Sequence, residues 1–146
     1  MAKEILFADL AQADTLPPLS KPPIDRAQLV RYAGASGDFN PLHYADEIGH
    51  LAGTGGVIAH GMLIMAFAGQ AVTQWVPNRC LRRFAVRFVD ITRLGDQITV
   101  SGRITETRLE NGTGVVVGEM TAADQQGSIK LKGTFEATLP LQGAGL

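Results

Sequence analysis

The chain has 146 residues, 45% of them hydrophobic and 18% charged, and its 13 Lys and Arg nearly balance 14 Asp and Glu for a net charge of -1. A chain of this length buries about two-thirds of its unfolded surface and needs no covalent staple, and the charge balance excludes a bulk field for nucleic acid or a polybasic membrane anchor. The single cysteine, Cys80, excludes a disulfide framework and a cysteine-based zinc site.

The opening MAKEILFADL lacks a signal-peptide pattern. The longest strongly apolar stretch, 57–68, carries His60 and is too short to span a bilayer. A cytoplasmic location without membrane contact is therefore expected. A short strand is expected around 4–8. Pro17-Pro18 and Pro22-Pro23 then interrupt regular structure and leave 1–23 as a lead-in over the surface. Asp25 reads as the N-cap of a helix that ends by 34–37, with Ile24, Leu29, Val30 and Tyr32 as its apolar face. The stretch 36–61 is glycine-rich and irregular. Pro41 biases Asn40 away from the helical region, one or two helical turns fit 45–52, and Gly53-Thr54-Gly55-Gly56 is a loop. It is no dinucleotide fingerprint, because Ile58 stands where a third glycine is required.

Residues 61–76, GMLIMAFAGQAVTQWV, form the clearest helix, with only Gln70, Thr73 and Gln74 polar. A helix without a polar face is expected to be buried on all sides, and Gly61, Ala66, Ala68, Gly69 and Ala71 would let a sheet approach closely. Met62, Met65 and Phe67 read as core or as lining of an apolar pocket. The rest reads as strands. Over 81–89, Arg83, Ala85 and Arg87 share one side while Arg82, Phe84, Val86 and Phe88 share the other. Leu94-Gly95-Asp96 turns, and Ile98, Val100, Gly102 and Ile104 alternate with polar residues. Asn111-Gly112 signals a hairpin, 114–123 runs back, and 128–139 returns. The expectation is one α+β domain over 1–146, an antiparallel sheet wrapped around a long buried helix.

The chemistry concentrates in Gly37-Asp38-Phe39-Asn40-Pro41-Leu42-His43. A carboxylate and an imidazole together can hold one water and move its protons, although such a loop alone could equally be turn residues beside a surface histidine. Downstream, Ile58-Ala59-His60-Gly61 leads directly into the helix. The first N–H groups of a helix lack internal partners and carry partial positive charge, so Gly61 is either an oxyanion donor or a close packing contact. His43, Asp46, His50 and His60 lack the spacing of a metal motif, and no metal is expected. Ser36 is not a nucleophile elbow, because Asp38 occupies the last glycine position of that motif. Arg79, Arg82, Arg83, Arg87 and Arg93 are either strand-edge charges that deter aggregation or a docking site for phosphates or an acidic carrier protein.

The pieces Tyr32…Ser36-Gly37-Asp38-Phe39-Asn40-Pro41-Leu42-His43, Ile58-Ala59-His60-Gly61-Met62-Leu63 and Val86-Arg87-Phe88…Gly95-Asp96 together resemble the MaoC-like hydratase/dehydratase family. The resemblance implies a hot-dog fold and a hydro-lyase of fatty acid metabolism. It would interconvert trans-2-enoyl and (3R)-3-hydroxyacyl thioesters carried on coenzyme A or acyl carrier protein, without a cofactor. Asp38 and His43 would be the catalytic pair and the Gly61 N–H the oxyanion donor. Ser36, Asn40 and His60 would support the site, and Arg83 and Arg87 would bind substrate. A dimer with a second copy or a paralogous subunit is implied. The alternative is a non-catalytic hot-dog subunit that binds an acyl chain or completes a heterodimer. A hot-dog thioesterase would ordinarily carry an acidic residue on the central helix, and 61–76 has none.

Overall fold

Apolar residues recurring every second position from Ile98 onward make strands with one buried face, and the described structure follows that pattern. The computed structural model describes residues 5–10 and 14–141. Its sheet contains β1 (Leu19–Ser20), β2 (Leu81–Phe88), β3 (Thr99–Glu110), β4 (Thr113–Ala123) and β5 (Ile129–Leu139). The spatial order is β1-β3-β4-β5-β2, with every pair antiparallel. The β3–β4 hairpin turns on Asn111 and Gly112 at φ 50° and 76°, the left-handed pair that a tight two-residue hairpin turn demands.

Val100, Ile104, Val116, Met120, Leu131, Phe135 and Ala137 share one buried core with Ile64, Phe67, Ala68, Ala71 and Val72 of the long helix Gly61–Trp75. Ala68 and Val72 are wholly buried; small and β-branched side chains on that face leave space for the sheet to close in. Each large apolar side chain removed from water here contributes about 1.5–3 kcal/mol. The sheet curls around this helix, which is the hot-dog arrangement.

Two shorter helices precede it: α1 (Arg26–Ser36) and α2 (Asp46–Leu51), so the long helix is α3. As the sequence suggests, Asp25 caps α1, its carboxylate accepting from the Gln28 N–H at 2.6 Å. Gly37 ends the helix at φ 75°, a conformation natural to glycine. A 3-10 turn, Pro41–His43, lies between α1 and α2. Gly49 of α2 faces Gly56 so closely that a Cβ there would lie 2.1 Å from the Gly56 oxygen. The glycine pair thus lets α2 press onto the loop that leads to α3.

Five expectations need correction. Of the strand expected around 4–8, residue 4 lies outside the described residues, and Phe7–Asp9 form a 3-10 turn. Phe7 makes one ladder-like bond, its N–H donating to Pro140, and its ring lies against Gly114. The proline-rich lead-in does lie at the surface, with all four prolines exposed, but it is not irregular. Leu16 is buried and its N–H donates to Gly102, Lys21 donates to Ile98, and β1 pairs with β3. Prolines are tolerated because this is an edge strand, which has no ladder partner on its other side. Val30 is 63% exposed, because Leu29 and Ala33 take the packing face of α1 and Val30 is turned about 100° from Leu29. Finally, α3 is not covered all round: Met62, Ala66, Gln70 and Gln74, spaced by four, are exposed. A five-stranded sheet covers only part of a helix circumference. Arg82 also leaves the side of Phe84, because a bulge between Leu81 and Arg83 turns it toward Glu110 and Glu136.

Candidate active site

The loop after α1 is built by its own side chains. Ser36 Oγ donates to the Tyr32 carbonyl and accepts from the Asp38 N–H. The Asp38 carboxylate accepts from the Asn40 N–H, and the Asn40 side chain accepts from the Leu42 N–H. These local bonds are why Ser, Asp and Asn hold the chain in turns here. Asn40 and Ser36 therefore shape the loop.

His43 is anchored beyond the loop. Its Nδ1 lies 2.9 Å from the Ile58 carbonyl. A carbonyl only accepts, so Nδ1 carries the hydrogen, and in the neutral ring Nε2 is a bare lone pair. That Nε2 faces Asp38 Oδ2 at 3.7 Å. Two acceptors at this separation, with no hydrogen between them, suit one water that donates to both. Asp38 is half exposed and His43 nearly covered, so solvent reaches the pair from the carboxylate side.

The segment 57–61 joins this loop to α3. Val57 N–H donates to the Asp46 carboxylate, Ile58 N–H to Leu42, and Ala59 N–H to Thr92. His60 follows, 1% exposed, with Nε2 3.1 Å from the Asp38 carbonyl. Its ring stacks on His43 with centroids 3.7 Å apart and meets Tyr32 edge-on at 4.9 Å. Burial holds its imidazole below the ordinary histidine pKa, against the pull of the Asp38 carbonyl. Gly61 opens α3, so its N–H has no intrahelical acceptor. A Cβ on Gly61 would come within 3.2 Å of the Phe88 ring.

A cavity of about 160 Å³ begins at His43 and Gly61 and is walled by Ile64, Phe88, Ile91 and Thr92. A second hollow of about 310 Å³ opens on the other side of His43, among Leu29, Val30, Phe39 and Tyr44. The structure thus brings Asp38, His43, His60 and Gly61 to one point. Arg83 and Arg87 are not there. They lie on the outer face of β2, Arg87 directly opposite Lys132, beside a shallow concavity of about 540 Å³.

Asp38, His43 and His60 also place a carboxylate and two imidazoles within 4.8 Å. His60, however, commits one nitrogen to the Asp38 carbonyl and buries the other, a poor donor set for a cation. The residue that sequence reading missed is Lys130. It lines the cavity wall, buried, its ammonium 3.1 Å from Asp90, 3.2 Å from Asp124 and 3.8 Å from Asp96. Burial opposes its charge, but the three carboxylates outweigh that and raise its pKa. Strand alternation gives no signal for a buried lysine; only the folded positions of three distant aspartates explain it.

The chain belongs to the MaoC like domain family, whose model matches residues 12–126. Among curated proteins it is similar to a fatty acid synthase subunit beta from Gibberella zeae, 32% identical over 117 residues. That match covers 78% of this chain and 6% of the relative, so the chain spans only a small part of that protein. Among solved structures it is similar to the unliganded R-hydratase PhaJ1 from Pseudomonas aeruginosa, with TM-score 0.81 and 25% identity over 98% of this chain and 94% of the other. The fold is also that of an (R)-hydratase from A. caviae involved in PHA biosynthesis, with TM-score 0.77 and 23% identity over 90% and 98% of the two chains.

Asp46 ties the site to its support. The Val57 N–H and the Arg26 guanidinium hold its carboxyl below the usual carboxylate range. A depressed carboxylate pKa stabilises the fold above the unfolded value, and the contribution is lost as pH falls through the folded one. Melting temperatures of the wild type should therefore drop as pH falls below about 4, and Asp46→Asn should melt lower at pH 7 with a shallower acid decline. Parallel pH profiles for the two proteins would show that this contact does not stabilise the loop.

Proposed function

We propose that this chain adds water to trans-2-enoyl thioesters, giving (3R)-3-hydroxyacyl thioesters, and catalyses the reverse elimination. The observation that carries this reading is His43 Nε2 facing the Asp38 carboxylate at 3.7 Å, beside the first N–H of α3, which has no intrahelical acceptor, and a cavity walled mainly by apolar side chains. The family supplies the reaction class, and the (R)-hydratase and fatty acid synthase similarities favour acyl thioesters and the (3R) product.

A water held between Asp38 and His43 gives up a proton to the pair while its oxygen bonds to Cβ. The Cα=Cβ electrons move toward Cα and the thioester carbonyl, building an enolate. The Gly61 N–H donates to that oxygen, where a single well-aimed donor contributes about 3 kcal/mol to the transition state. The proton then passes from the pair to Cα, so water is added with no net change at Asp38 or His43. The Ile58 carbonyl keeps the proton on Nδ1 and so leaves Nε2 as the atom that exchanges protons with the water. No redox step is involved.

The open stripe Met62, Ala66, Gln70 and Gln74 and the outer edge of β2, unpaired among the described residues, favour a working dimer with a second hot-dog chain. In the heterodimer alternative, the chain alone would bind but not turn over. Enoyl-thioester consumption by the purified chain, followed in the ultraviolet across a series of chain lengths, separates the two. Asp38→Asn and His43→Ala should each lower turnover at least about a hundredfold while leaving the protein folded. Near-wild-type rates in either variant would remove that residue from the reaction.

For Gly61, proline is the informative substitution, because it removes the N–H yet suits the first turn of a helix. Gly61→Pro should lose kcat far more than Gly61→Ala, which keeps the donor and asks the Phe88 ring to yield by a few tenths of an ångström. Equal losses in two folded variants would assign the glycine to close packing.

Arg83 and Arg87, with Lys132 beside them, present positive charge on the outer sheet face, and we assign them to the anionic part of the carrier. The double variant Arg83→Ala/Arg87→Ala should raise KM for a coenzyme A ester with little change in kcat, an effect that fades as salt rises. An unchanged KM at low salt would leave them as edge charges.

A further inference from the structure

His60 is an expensive residue at its position. It stands at the N-cap of α3 without making a side-chain cap, where Ser, Thr, Asp or Asn would satisfy an N–H. Its ring is enclosed, and burial favours the neutral form. A neutral imidazole has one N–H, and the Asp38 carbonyl at 3.1 Å takes it from Nε2. Among the described residues, Nδ1 is left as a buried acceptor with no donor. Such an unpaired acceptor costs about 1–3 kcal/mol, a cost that a phenylalanine of similar shape would avoid. Packing alone therefore does not account for a histidine here.

The contacts of Asp38 supply a reason. Its other hydrogen bonds run to Ser36 and Asn40, inside its own loop. Among the described residues, the bond from His60 is the one hydrogen bond that ties Asp38 to anything outside 36–40. His43 is separately fixed to Ile58, and its ring face rests on His60 at a centroid distance of 3.7 Å. The main chain of His60 runs directly into Gly61. One side chain thus touches the carboxylate's backbone and the plane of the second imidazole, and adjoins the oxyanion donor.

We propose that His60 is a positioning residue: its Nε2–H holds the Asp38 main chain and its ring face holds the plane of His43, keeping carboxylate, bare Nε2 and Gly61 N–H in one register. This rests on the hydration reading above. His60 touches no reacting atom; it acts through Asp38 and His43. A misplacement of about 1 Å in such a constellation costs about a hundredfold in rate, so its removal should appear in kcat.

The test uses two variants of the full chain. His60→Phe keeps a ring against His43 and removes the donor; His60→Gln restores a side-chain N–H without the ring. The phenylalanine variant should melt no lower than wild type, since the orphaned acceptor is gone, yet lose at least about tenfold in kcat with KM within about twofold. Glutamine should recover a clear part of that loss. Independently of activity, ¹H–¹⁵N NMR of the wild type should show His60 protonated at Nε2 and bare at Nδ1 from about pH 6 to 8. A phenylalanine variant with wild-type kcat, a glutamine variant no better than phenylalanine, or a proton on Nδ1 would each overturn the assignment. A wild type inactive on every thioester fails the hydration reading instead, and the NMR result still decides whether His60 holds Asp38.

Discussion

Segment 57–59 is three residues long, and its polar backbone groups bind three other parts of the molecule. Val57 N–H reaches Asp46 of α2, Ile58 N–H reaches Leu42 in the 3-10 turn, Ile58 carbonyl takes the His43 hydrogen, and Ala59 N–H reaches Thr92 in the cavity wall. A backbone group buried without a partner costs as much as a lost hydrogen bond, so these pairings are not free to shift one at a time. The loop that bears Asp38, the wall made by 88–92 and the first turn of α3 are consequently placed relative to one another by main-chain geometry. The site inherits the rigidity of the sheet although its reactive groups sit on irregular chain.

This division explains what was legible in the sequence. Strand alternation, the Asn111-Gly112 hairpin and the capped helix at Asp25 are local signals, and each stands where the local pattern puts it. The juxtaposition of Asp38, His43 and Gly61 was legible only because a short motif carries it; nothing in composition or periodicity brings His43 to Ile58. The failures are tertiary. Whether Leu16 and β1 lie along β3 depends on an edge being available, which no window of the lead-in contains. The arginine at 82 changes sides through a bulge of one residue, invisible to strict alternation. Lys130 is buried because Asp90, Asp96 and Asp124 converge on it, a fact distributed over 41 positions of chain from 90 to 130.

The uncovered side of α3 is not uniform along its length. Its exposed stripe holds Met62 and Ala66 near the N-terminus and Gln70 and Gln74 toward the C-terminus. Met62 lies one residue from Gly61, and Phe88, which ends β2 about half exposed, lies beside Gly61. Apolar surface is therefore concentrated at the end of the helix where the cavity begins, and polar surface at the other. Any chain that covers this stripe removes most apolar area from water at the cavity end and meets amides at the far end.

The groups assigned to acid–base work and to the oxyanion lie within 24 consecutive residues, from Asp38 to Gly61, whereas the far wall of the cavity comes from Phe88, Ile91 and Thr92. Chemistry and capacity are thus written on separate stretches of chain. A substitution at 88 or 91 would alter the room in that cavity without touching Asp38, His43 or the Gly61 N–H. Under the proposed reaction, changes in that wall would alter which acyl groups fit while leaving the acid–base groups as they are.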